Sequence, residues 1–122
     1  MIKKSEKTYY ANIYMGLKRG YDGDNIRLDE IADYINLFIN KNKIGCTTTD
    51  TFFQYPGGEE EGVCIGLINY PRYPKGPEGT REVAEAMVEN LLEIFEQERI
   101  TVVYPDETIM YERENEDNNS GK

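Results

Sequence analysis

Two stretches of this chain repeat apolar side chains at helical spacing, and short runs with strand-like character surround them. That interleaving restricts the fold more than any other feature. In the first stretch Leu28, Ile31, Ile35, Phe38 and Ile39 share one face, while Asp29, Glu30, Asp33 and Asn36 lie elsewhere. Asn42 and Gly45 supply its stop signal. In the second, Val83, Ala84, Met87, Val88, Leu91, Leu92, Ile94 and Phe95 form the apolar face, and Pro77 suits the first turn. Residues 8–17, 46–55 and 62–70 read as strands, the second because Thr47, Thr49, Thr51, Phe52 and Phe53 favour a pleated surface over a helix interior. Residues 101–104 make a short strand and 108–111 a further extended piece. Pro56-Gly57-Gly58 begins a turn that continues through Glu59-Glu60-Glu61, which predicts a hairpin with an exposed acidic tip. The order strand, helix, strand, strand, helix, strand, with a fifth strand after it, predicts an α+β fold. Its antiparallel sheet is covered on one face by two helices in a two-layer sandwich. The other face is left open, and a partner subunit is the expected cover.

At 122 residues the chain is the size of one domain. Residues 1–112 are assigned to a ligand-binding and oligomerisation domain. Residues 113–122 are assigned to an acidic tail without an apolar residue to hold it, predicted to be disordered. The formal charge of −9 excludes a non-specific binder of long nucleic acid, which needs a positive field, but leaves room for a small anion gripped by two or three arginines. No apolar run is long enough for a membrane span, and Cys46 and Cys64 read as reduced, half-buried thiols, so a soluble cytoplasmic protein is expected. Ten Tyr beside four Phe and no Trp fit two accounts, strand residues or a surface buried on association.

The chain contains no histidine, which removes the commonest general base at neutral pH and the Ser-His and Cys-His nucleophile pairs. Two isolated cysteines cannot build a tetrahedral zinc site, Asp22-x-Asp24 lacks the later ligands of a calcium loop, and no phosphate-binding glycine loop is present. A hydrolase working through carboxylates alone stays open in a chain with 23 acids, but these absences predict a non-catalytic binding protein with no cofactor and no metal.

Candidate ligand residues come from three segments. Asn69-Tyr70-Pro71-Arg72-Tyr73-Pro74 places an amide, two rings and a guanidinium on stiff backbone after a strand. Asn69 could pair with a base edge, Tyr70 stack on it and Arg72 hold a phosphate; a rigid crossover loop is the competing account. The segment 104–113 offers Thr108 and Arg113, the latter beside Glu112 and Glu114 and so equally suited to a surface ion pair. In the first strand, alternation puts Tyr10, Asn12 and Tyr14 on one face, and Tyr9, Ala11, Ile13 and Met15 on the other, the better core set. The acidic flank of the second helix (Glu78, Glu82, Glu85, Glu89, Glu93, Glu96) would repel a phosphate.

The segments 7–17, 66–74 and 104–109 together resemble the phage-encoded Thoeris anti-defence proteins of the first type. That resemblance implies a molecular sponge. It would bind and sequester cyclic ADP-ribose isomers such as glycocyclic ADP-ribose without cleaving them, and take up cyclic di- or trinucleotides at separate sites. It would assemble as a homodimer that builds a hexamer in the cytoplasm of the infected bacterial host. It also implies ligand roles for Tyr14, Met15, Asn69, Tyr70, Arg72, Thr108 and Arg113. The alternative is an inhibitor that blocks a host defence enzyme through its acidic surface.

Overall fold

The structure, a computed structural model, describes residues 1–20 and 23–114. Asp22 of the calcium-like loop and most of the tail predicted over 113–122 lie outside the described residues. The elements follow the order β1 (Tyr10–Gly16), α1 (Leu28–Asn42), β2 (Gly45–Tyr55), β3 (Gly58–Ile68), α2 (Gly76–Ile94), β4 (Arg99–Val103) and β5 (Thr108–Glu112). The five strands form one antiparallel sheet in the order β2-β3-β1-β4-β5, the split βαβ arrangement with an added edge strand. Both helices pack on the same face, as expected of the two-layer sandwich.

Strand alternation divides the side chains cleanly. Ala11, Ile13 and Met15 of β1, Val63, Ile65 and Leu67 of β3, and Ile100 and Val102 of β4 face the helices and are buried. They meet Ile31, Ile35 and Phe38 of α1 and Ala84, Met87, Val88 and Leu91 of α2. Each inward row is regular because a residue shifted by one along a strand would change faces. The helices are joined directly where Asn90 Nδ2 donates to Tyr34 Oη at 2.9 Å and the Tyr34 and Phe95 rings meet edge to face. None of the described helices is long and apolar enough to cross a membrane.

Two local features depart from the sequence reading. α1 stops at Lys43, which takes the left-handed conformation at φ 53 and donates its N–H to Ile39 O at 2.8 Å. Gly45 is instead the first residue of β2, where the ring of Tyr70 leaves a side chain no room, 2.9 Å from where a Cβ would stand. The second departure matters more for function. Glu59, Glu60 and Glu61 are strand residues, paired with Gln54, Phe53 and Phe52. The connection is only Pro56-Gly57, with Gly57 at φ 89, the residue order of a type II turn. Because two residues suffice to reverse the chain, the glutamates join the sheet.

Cys46 packs against the core and Cys64 faces the open side beside Tyr14, its strand partner. Burial pushes the Cys46 thiol up to about 11. Because the thiolate is the reactive species, the native thiol should react with a disulfide reagent at pH 8 far more slowly than in the urea-unfolded chain. Native Cys46 holds its proton above the ordinary thiol value, so its contribution to stability is complete below about pH 8.5. It is lost as pH rises through about 11. Replacing Cys46 with Ser should flatten that part of an alkaline denaturation curve.

Candidate functional site

The open face of the sheet carries a cleft of about 690 Å³ at the end where β1 finishes and β4 begins. That size lies within the range of small-molecule sites. Its floor is set by strand register. Gly16 of β1 pairs with Gly62 of β3, so two adjacent positions on the same face have no side chain. The neighbouring row is Cys64, Tyr14 and Thr101. On the other side stands the pair Phe53 and Glu60.

Both of these residues lean over the glycine floor. The Phe53 ring covers Gly62, whose missing Cβ would fall 2.6 Å from ring atom Cε2, and reaches Tyr14 in an edge-on contact with centroids 5.7 Å apart. The Glu60 carboxylate sits above Gly16, where an added Cβ would be 2.7 Å from Oε2. Tyr55 closes over Gly58 in the same manner. Partial burial and the facing Cys64 thiol push the Tyr14 phenol above its ordinary value, so it is a neutral hydroxyl at physiological pH. Around the rim are Glu59, Glu61 and Glu98, opposed by Lys18 and Arg99. The lining therefore combines aromatic rings with an excess of carboxylates.

The wall formed by Leu17, Lys18 and Gly20 is fixed from behind. Arg19 turns away from the cleft, binds Glu30 at 2.9 Å, donates to Ile94 O at the end of α2 at 3.1 Å and stacks on Phe95. Gln97 is buried and donates to Lys18 O at 2.8 Å, while Gly20 N–H donates to Glu96 O. These contacts tie a loop to both helices, so the wall is shaped before any ligand arrives.

Of the seven residues singled out in the sequence, Tyr14 lines this cleft. Met15 faces the helices and is 1% exposed, as its place in the alternation requires. Asn69, Tyr70 and Arg72 lie at the opposite end of β1 and β3, as does Thr108, which pairs with Val103. Asn69 is committed to the backbone: Nδ2 donates to Lys7 O at 2.8 Å, and Oδ1 accepts from the N–H groups of Lys75 and Gly76 at 3.0 and 2.9 Å. It thus satisfies the first N–H groups of α2 in the manner of a helix cap. Tyr70 packs on Gly45, and Arg72 lies over the Tyr73 ring at 5.4 Å, so this segment has the contacts of the rigid crossover loop. Arg113 follows β5, its N–H bonded to Glu98 O. Asn69→Ala should lower stability by about 2 kcal/mol through loss of the cap and of a buried amide's partners. Thermal denaturation checks this, and ligand affinity at the cleft should be unchanged.

The turn reading of the glutamates hides their pairing with Phe53 and so hides Phe53, Tyr55 and Glu60, while a strand read from residue 101 leaves out Arg99, the first residue of β4. A signal was present. Gly16, Gly62 and Gly66 share one face, and glycine within a strand marks a close approach by another group.

No protein-family model matches the chain, and no curated protein matches it. Solved structures do. A phage SAM lyase in complex with S-methyl-5'-thioadenosine superposes with a TM-score of 0.71 at 16% identity, over 93% of this chain and 95% of the other. The same description applies to a phage SAM lyase in its apo state, with a TM-score of 0.66 at 15% identity over 88% and 90%. The chain shares its fold with phage SAM lyases. This finding overturns the resemblance to Thoeris anti-defence proteins and the non-catalytic, sequestering role it implied. The small molecule captured on this fold is S-methyl-5'-thioadenosine, so the cyclic ADP-ribose and cyclic oligonucleotide ligands and the hexamer built around them are withdrawn. The alternative of an acidic surface blocking a host enzyme is displaced by the same matches. The cleft supplies the physical reason: four glutamates against one lysine and one arginine oppose a pyrophosphate.

Proposed function

We propose that this protein is an S-adenosylmethionine (SAM) lyase that releases S-methyl-5'-thioadenosine. One observation carries the reading beyond the shared fold: the cleft joins aromatic rings to surplus carboxylates, the complement of an adenine linked to a sulfonium cation. Phe53, Tyr14 and Tyr55 offer faces and edges for the adenosine, and Glu60 offers the nearest negative charge above the floor.

The chemistry suits a chain without histidine. Release of S-methyl-5'-thioadenosine breaks the bond between sulfur and Cγ of the methionine chain. The substrate's own carboxylate can displace the thioether: a carboxylate oxygen bonds to Cγ, the Cγ–S pair returns to sulfur, and homoserine lactone forms. No water is consumed and no proton moves, so no general base is required. Positive and negative charge annihilate along this path, and a partly desolvated cleft favours it. What the protein contributes is conformation, holding the chain folded with oxygen behind Cγ; such orientation can supply about 7–11 kcal/mol. SAM is a soluble metabolite, and the proposed place of action is the cytoplasm of an infected bacterium.

The test is incubation with SAM in H₂¹⁸O, followed by mass spectrometry. Equal amounts of S-methyl-5'-thioadenosine and homoserine lactone, with no ¹⁸O on Cγ, are expected. Label on the Cγ hydroxyl would identify a hydrolase, and product at the level of a protein-free control would remove the reading altogether.

A further inference from the structure

Resting on the SAM reading, we infer that Arg99 is the residue that recognises the substrate's α-carboxylate, which orients the methionine chain toward β4 and the adenosine toward β2. The register leads to this. β1 and β4 pair through Tyr14 and Thr101, so two residues further along Arg99 stands beside Gly16, next to the hollow floor. It projects from a strand on the open face, whereas the other cation of the lining, Lys18, sits on the loop after β1. A guanidinium can hold one carboxylate oxygen with its planar N–H groups and fix the carboxylate's plane while the other oxygen stays free to face Cγ, a directional grip that an ammonium lacks.

Arg99 is also available. Its ion-pair partner among the described residues is Glu112 on β5, with Nε 3.7 Å from Oε1, too long for a hydrogen bond, and both side chains are more than half exposed. So loose a pair is easily exchanged for an incoming carboxylate. Glu60 occupies the position above Gly16, on the β3 side of Arg99. The floor therefore lies between a negative and a positive pole, and a zwitterionic amino acid bearing a sulfonium fits that polarity in one direction only. An adenosine thioether without the amino-acid portion has nothing for Arg99 to hold.

Calorimetry with two stable ligands tests the assignment. Sinefungin keeps the α-carboxylate and has no leaving group, and S-methyl-5'-thioadenosine lacks the carboxylate. Arg99→Gln should weaken sinefungin by at least about tenfold. It should leave S-methyl-5'-thioadenosine within about twofold, while Arg99→Lys falls between the two and KM for SAM rises in the same order. Equal weakening of both ligands, or a selective loss in Lys18→Gln instead, overturns the assignment to Arg99. If the unaltered protein binds neither ligand, the SAM reading itself fails; if it binds both and Arg99→Gln changes nothing, only the Arg99 assignment does.

Discussion

Replacing Phe53 with alanine should lower affinity for S-methyl-5'-thioadenosine by about 10- to 100-fold, the effect of removing one aromatic platform from a stacked base. The ring is held over Gly62 and against Tyr14, so it is ordered before binding and little entropy is lost in using it. Phe53 is half-buried on a strand at the edge of the sheet, and its loss leaves the core rows of β1, β3 and β4 untouched. The melting temperature should therefore change little while calorimetric affinity collapses. Phe53→Tyr should retain most of the affinity, since the ring face is kept. A Phe53→Ala protein that binds as tightly as its parent would move the adenine elsewhere in the cleft.

The second large effect is expected at Gly62. A Cβ there would stand 2.6 Å from Met15 O and 2.6 Å from the Phe53 ring. The ring can move, but Met15 O belongs to the neighbouring central strand and cannot move without disturbing the β1–β3 ladder. Gly62→Ala should cost about 1–3 kcal/mol of stability and abolish measurable binding, because the displaced ring fills the hollow. Gly66→Ala provides the contrast. Its nearest neighbours are the side-chain oxygens of Thr47 and Asn12, at 2.8 and 3.2 Å, both able to rotate aside. Denaturant titration should show a clear loss for the first variant and a small one for the second.

The helices and the inward rows of β1 and β3 were legible in the sequence because burial imposes a period on apolar residues, and Ile31, Ile35, Met87 and Leu91 display it openly. The cleft was far less legible. Its residues come from all five strands and the loops beside them, and their convergence depends on register, which on the β2–β3 side a turn of two residues decides. Assigning Glu59, Glu60 and Glu61 to that turn separated the acids from the aromatics they accompany. Tyr14 was identified because the alternation of β1 could be read without any partner strand. Asn69 misled for a different reason: an amide next to prolines looks the same in sequence whether it reads a ligand or caps a helix.

The two ends of β1 have separate duties. At its start, Asn69 joins the chain before β1 to the first turn of α2. Arg81 lies over Tyr104 while bonding Tyr9, Asp106 and Glu107, which gathers α2, the approach to β1 and the β4–β5 turn into one clamp. At its finish, the glycine floor and the β2–β3 hairpin hold the cleft, and the core does not depend on the identity of the half-buried and exposed hairpin side chains there. Mutational drift at the first end is answerable to folding, and at the second the glycine floor still answers to folding while the hairpin side chains at 53, 55, 59 and 60 do not. A scaffold partitioned in this way can acquire a new small-molecule preference by exchanging a few hairpin side chains, which makes positions 53, 55, 59 and 60 the natural choice for a randomised library built on this chain.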